Sequence, residues 1–216
     1  MRNRVSVLSL ALTSGAVDAF TFVALGHVFT SNMTGNLVLL GISVGHGHIS
    51  EALGSLVALA AFTCGLAAAF QYTGKDVGWT VRTRRALAVE LLLLAALAVA
   101  WALAAPRVPL IATAAFAMGI QSAVTQRLHT PVGSTTFITG ALTGAVSRFL
   151  TPDAGESHLP ELLAVLLALA VGAAAATASL TLLPTASPVI ALVAALVAMF
   201  WCRPGPRPPH RPAAGT

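Results

Sequence analysis

Asp18 is the first residue in the chain whose chemistry needs a reason. It sits thirteen positions beyond Val5, where a long apolar stretch begins. A helix rises about 1.5 Å per residue, so the carboxyl lies roughly 20 Å along it, within the hydrocarbon of a bilayer. A carboxylate there costs on the order of 2.5–3.5 kcal/mol, and such groups face a cavity or a partner. Two roles follow: an ionisable group in a solute or proton pathway, or a neutral acid bonded to a neighbouring helix.

A second set of polar residues precedes a short apolar stretch, Thr34–Gly45. Thr30, Ser31 and Asn32 are good helix-capping types there, and Asn36 follows one turn later. A matching set, Thr135, Thr136 and Thr139, opens the stretch Thr135–Phe149. Two half-helices that start inside a membrane present free N–H groups and positive dipole ends, which suit a polar or anionic solute. Gln121, Ser122, Thr125 and Gln126 add four polar side chains to one helix, with Gln121 and Thr125 on the same face. The candidate pathway residues are therefore Asp18, Asn32, Thr34, Asn36, Gln121, Thr125, Thr136 and Thr139. The competing use of the same regions is helix packing through small residues: Gly15, Gly35, Gly41, Gly45, Gly119, Gly140 and Gly144.

Other polar residues carry less. His46, His48 and Glu51 resemble a metal-binding trio, but a site needs three or four ligands in fixed geometry, and a solvated loop is expected. Arg127 should end its helix at the interface with its charge in water. Glu90 follows Arg84 and Arg85 by six and five positions, which predicts an interfacial ion pair. No nucleophile elbow, His-Glu-x-x-His pair or phosphate loop occurs. No catalytic residue, metal or cofactor is expected, and no enzyme.

The elements that hold these residues follow from composition. Of 216 residues, 56% are hydrophobic and 9% charged, with a mean hydropathy of +0.85. Soluble domains carry roughly 25% charged residues, so a water-covered surface is excluded. The net charge of +5 does not signal nucleic acid, because the basic residues sit in short clusters between apolar runs. Cys64 and Cys202 define neither a disulfide framework nor a metal site. The N-terminal stretch runs past Asp18 without a small-residue cleavage site, so it is expected to be a membrane helix and not a cleaved signal.

Spanning helices need about 20 apolar residues. Six segments come near that: Val5–Gly26, Ala52–Tyr72, Arg85–Ala105, Val108–Gln126, Glu161–Leu183 and Ser187–Trp201. Thr34–Gly45 and Thr135–Phe149 are too short and are expected to be re-entrant or broken. The placement of basic residues tests this. With six crossings and a cytoplasmic N-terminus, eleven of the twelve Lys and Arg fall inside and only Arg107 outside. With eight crossings the division is seven against five. The six-crossing arrangement is preferred. It makes Trp79 and Arg82–Arg85 part of a cytoplasmic linker and 203–216 a disordered, Pro- and Arg-rich cytoplasmic tail.

The chain also repeats. Ser14–Thr21 resembles Met118–Thr125 at an offset of 104, and Thr30–Leu37 resembles Thr135–Leu142 at an offset of 105. Each repeat, about 5–105 and about 108–202, holds three crossings. An odd number inserts the second copy upside down, an architecture typical of transporters and channels.

Three motifs also match a family. Ser14–Ala19, Gly26–Phe29 and Asn32–Asn36 resemble the opening of the YoaK-like family of bacterial membrane proteins. Met118–Gln121, Arg127 and Thr135–Gly140 resemble its second signature. The resemblance covers about 5–201, with Met33-Thr34-Gly35-Asn36 as its most specific part. It implies an integral protein of the bacterial inner membrane, and it brings no substrate, cofactor or catalytic residue. The expected fold is an all-α polytopic transmembrane helix bundle in one domain, 1–202, built as an inverted repeat. The expected function is passage of a small polar or anionic solute. A non-transporting scaffold or assembly factor is the alternative. The expected partners are the lipid bilayer, an unknown small solute and, as a candidate, a second copy of the chain.

Overall fold

The computed structural model describes residues 2–75, 77–128, 138–150 and 159–201. The described residues form eight α-helices: α1 (Arg2–Ala24), α2 (Met33–Gly45), α3 (Ile49–Thr73), α4 (Val81–Ala102), α5 (Arg107–Arg127), α6 (Ile138–Leu150), α7 (Leu159–Leu182) and α8 (Ser187–Trp201). A single 3₁₀ turn at Pro184–Ala186 leads into α8. Six helical stretches are long and apolar enough to cross a bilayer, and α2 and α6 are short, with 13 residues each. The protein is an all-α, multi-pass membrane bundle.

The helix boundaries follow local chemistry. α4 starts four residues before the expected Arg85 because Thr80 and Thr83 form a reciprocal capping box that satisfies two otherwise orphaned N–H groups. α1 ends earlier than expected, at Ala24, where Gly26 and His27 both adopt positive φ, of 88° and 60°. That pair of left-handed residues turns the chain back. Arg107 then donates to the Gly26 carbonyl at 2.9 Å, and a Cβ at Gly26 would collide with its guanidinium.

Two helix pairs form the centre. α1 makes its most extensive contact with α7, and α5 makes its own with α3. Both contacts rest on glycines. A Cβ at Gly15 would overlap the Leu169 carbonyl, and one at Gly172 would overlap the Leu12 carbonyl. In the other pair, Gly65 lies against the Phe116 carbonyl and Gly119 against that of Phe62. Backbones this close exclude any side chain, which is how small residues hold membrane helices together. α8 adds to α1 and α4 adds to α5, while α2 leans on α3 and α6 on α7. α4 against α8, and α1 against α5, join the two groups.

The polar ends tie the bundle at its rims. Arg4 pairs with Glu161 across the starts of α1 and α7. At that same end, the Gly78 N–H donates to the Arg127 carbonyl at 2.8 Å. Many apolar side chains point outward, among them Leu37, Ile42, Leu92 and Leu167, as a bilayer requires.

Candidate functional site

Asp18 lies in α1, about nine ångströms before its end at Ala24 by helical rise. Its carboxylate is met from the connecting segment alone. Oδ1 accepts from the Thr30 N–H at 2.6 Å, the Thr30 hydroxyl at 3.0 Å and the Ser31 N–H at 2.8 Å. Oδ2 accepts from the Ser31 hydroxyl at 2.6 Å. Four donors surround one acid.

These bonds set a depth. Ser31 also shares a hydrogen bond of 2.8 Å with Ser14, which is ten residues before the end of α1. The chain therefore leaves α1, reverses at Gly26-His27 and descends about 15 Å along it before α2 starts. Seven residues can span that distance when extended. Phe29 stacks on Phe22 on the way, with ring centroids 4.8 Å apart. The first short helix is thus re-entrant, beginning beside the middle of α1.

Asn36 fastens the same segment from the other side. Its carboxamide accepts from the Phe29 N–H at 2.9 Å and donates to the Phe29 carbonyl at 2.6 Å, pairing with the backbone as a neighbouring strand would. Asn32 caps α2 by accepting from the Gly35 N–H at 3.2 Å. Asn32 and Thr34 are exposed at that end, whereas Asn36 is fully buried. The N–H groups of Thr30 and Ser31, which could have held an anionic solute, hold Asp18 instead.

Gln121 stands apart from this cluster. It is buried in α5 and donates to the Leu10 carbonyl of α1 at 3.0 Å, while its own Oε1 has no donor. The Thr125 hydroxyl turns back to the Ser122 carbonyl, at 3.0 Å. Among the expected pathway residues, then, the structure gathers Asp18, Asn32, Thr34 and Asn36 at one place and leaves Gln121 and Thr125 at another. Thr136 and the tail 203–216 lie outside the described residues. Thr139 falls in α6, and only its backbone is described.

The glycines divide as well. Gly15 and Gly119 sit in the two tight helix contacts, and Gly35 lies under its own cap, where a Cβ would come within 2.9 Å of the Asn32 carboxamide nitrogen. Gly41, Gly45, Gly140 and Gly144 have nothing within 4 Å of a would-be Cβ, so they seat no described residue of this chain. The partners of Gly15 and Gly119 include Gly65 and Gly172, which spacing within one helix did not reveal.

Glu90 departs from its expectation. It is 1% exposed, on the stripe of α4 that also buries Ala86, Leu87, Leu94 and Leu97, and neither carboxylate oxygen has a hydrogen-bond partner. The expected ion pair with Arg84 or Arg85 is absent. Five or six residues along a helix is about 140° or 240° around it, so those arginines stand on the exposed side. The helical wheel carried that signal.

His48 and Glu51 approach to 3.5 Å and Ser43 lies 3.4 Å from the same carboxylate. No group of three His, Cys, Asp or Glu gathers as a metal site among the described residues.

Comparison with known proteins agrees with this architecture. The chain is 38% identical over 137 residues to the UPF0700 transmembrane protein YoaK of Bacillus subtilis (strain 168). That match covers 62% of this chain and 61% of the relative, so it spans about three fifths of the relative's length. No solved structure matches the chain. Residues 6–201 match the family described as protein of unknown function (DUF1275), and with the re-entrant turn and bundle lying inside that span, the chain belongs to the DUF1275 family.

Proposed function

We propose that the protein moves a small polar or anionic solute across the bacterial inner membrane, without converting it chemically. In this reading the halves 5–105 and 108–202 are an inverted repeat, and both termini are cytoplasmic. One observation carries it. The tight contact of α1 with α7 has a counterpart in that of α5 with α3, glycine for glycine. Gly119 and Phe116 stand 104 positions after Gly15 and Leu12, and Gly172 and Leu169 stand 107 after Gly65 and Phe62. The offset of 104 is the one on which the sequence repeat aligns.

The packing supports a two-body mechanism. α1, α6, α7 and α8 form one group, and α2, α3, α4 and α5 form the other, each drawing helices from both halves. Exchanging α1–α4 with α5–α8 turns one group into the other. Such groups can rock about a central seam, here α4 on α8 and α1 on α5, and expose a midplane site to each side in turn. The re-entrant start of α2, with Asn32 and Thr34 at its tip, is where a solute would meet polar groups at mid-depth.

Uptake into vesicles reconstituted with the full chain, screened across anions, sugars and amines, tests the proposal. Saturable uptake of one class above protein-free vesicles is the expected result. Uptake of none would leave a scaffold or assembly role. Orientation has its own test, in a background without Cys64 and Cys202. Cysteines at His46 and Leu159 should label from opposite faces, position 46 from outside. Labelling of both from one face would exclude the inverted repeat.

A further inference from the structure

We infer that Glu90 is a proton-binding site at the centre of the membrane, and that it couples solute movement to protons. The inference rests on the transport reading for its coupling part and on geometry for its binding part.

Glu90 lies nine residues into the 22-residue α4, about 13 Å from its start, and so near the middle of the span. Its two oxygens are buried without any donor. A carboxylate in that setting has lost its water and gained nothing, while the acid form needs only one acceptor. An acceptor is available in that part of the bundle. Gln121 Oε1 is buried and receives no hydrogen bond. Leu87, one turn before Glu90, shares an apolar cluster with Ile120 and Val124, which flank the Gln121 turn of α5, and with Leu10, whose carbonyl Gln121 holds.

Among the described residues, no fixed charge competes for the group. On α4, Arg82, Arg84 and Arg85 are exposed. α5 brings Arg107, on the Gly26 carbonyl at one rim, and Arg127, over the Phe70 ring at the other. α3 brings Glu51 at its start and the exposed Cys64 and Tyr72, and α8 and the 3₁₀ turn bring none.

The site is also in the seam that must move. α4 packs on both α5 and α8, so rocking of the two groups changes what surrounds Glu90. The conformation described here holds the proton in a dry setting. A conformation open to water on one side lets the carboxyl release its proton there, and another proton binds from the opposite side when the seam reverses. Each cycle thus moves one proton, bound to and lost from one carboxyl, with no other bond made or broken.

Infrared difference spectroscopy of the purified full chain in lipid, titrated from acid to alkaline pH, reads the site without any solute. The wild type should show a protonated-carboxyl carbonyl band that is lost as pH rises. Glu90→Gln should lack that band, Glu90→Asp should keep it at a shifted frequency, and Asp18→Asn should retain it. A band that persists in Glu90→Gln, or one in the wild type that never titrates while the protein stays folded, overturns the binding site. The coupling is read in the vesicle assay with an imposed proton gradient. Uptake should rise severalfold with the gradient in the wild type and ignore it in Glu90→Gln. Uptake in the wild type that is indifferent to the gradient overturns the coupling while transport stands. Absence of uptake overturns transport and coupling together, and the spectroscopic result still decides the binding site.

Discussion

Among the described residues, two acids lie away from the ends of the spanning helices, and their surroundings are opposite. Asp18 accepts from Thr30 and Ser31 through four donors, all from the segment that follows its own helix. Glu90 accepts from none. The same functional group is a fastener in one place and an unattached carboxyl in the other. Asp18 is half-buried and Glu90 fully buried, and the count of donors separates them further. Around the acid with donors, the protein replaces the water it lost. The acid without them can be charged only when water reaches it.

Substitution with leucine sharpens this contrast most. Asp18→Leu strips an acceptor from four donors at once, and should lower stability by about 3 kcal/mol or more, read by denaturant unfolding of the purified protein. Helix α2 should lose its fixed position along with the loop. A loss below about 1 kcal/mol would mean that water or other groups take over the donors and that Asp18 is no fastener.

The tight seams come next in size. Gly15→Leu and Gly119→Leu place a side chain where a carbonyl of the facing helix stands. Overpacking of this kind costs about 1–3 kcal/mol, sometimes more. The two losses should agree with each other, since the contacts are built alike. A large loss at Gly15 beside a negligible one at Gly119 would show that the seams are not equivalent.

Glu90→Leu should have the smallest effect. It leaves no donor behind, and replacing a buried ionisable group with an apolar one of similar volume is often neutral or stabilising. A change in unfolding free energy within about 0.5 kcal/mol of zero, or a gain, is expected in the same assay. If Glu90→Leu costs as much as Asp18→Leu, the two acids are alike and the contrast fails.

Much of the fold was legible because membrane insertion imposes few choices. Apolar run length located the six long helices, and basic residues and helix length set α2 and α6 apart from them. The candidate site was legible in kind more than in arrangement. The sequence marked Asp18, Thr30, Ser31, Asn32 and Asn36 as unusual, and the structure brings all five around one turn. Their pairing was hidden because it depends on the reversal at His27, a non-glycine residue with positive φ that no turn pattern announces. Gly65 and Gly172 were hidden for another reason: each contact is made between helices far apart in sequence, and spacing along one helix does not say which other helix approaches. Glu90 was misjudged by distance along the chain where angle around the helix was decisive.

The bonds to Asp18 also bear on the order in which the protein can be built. Its donors come from 12 and 13 residues downstream, so the acid is provided for as soon as a short stretch beyond α1 has been made. Contacts of short separation close early and at little entropic cost. Gly15, three residues before Asp18, waits instead for Leu169, which belongs to the seventh helix. During synthesis α1 therefore resides in the membrane with its acid already hydrogen-bonded but its groove still open. The local bonds make that wait possible, and α7 ends it.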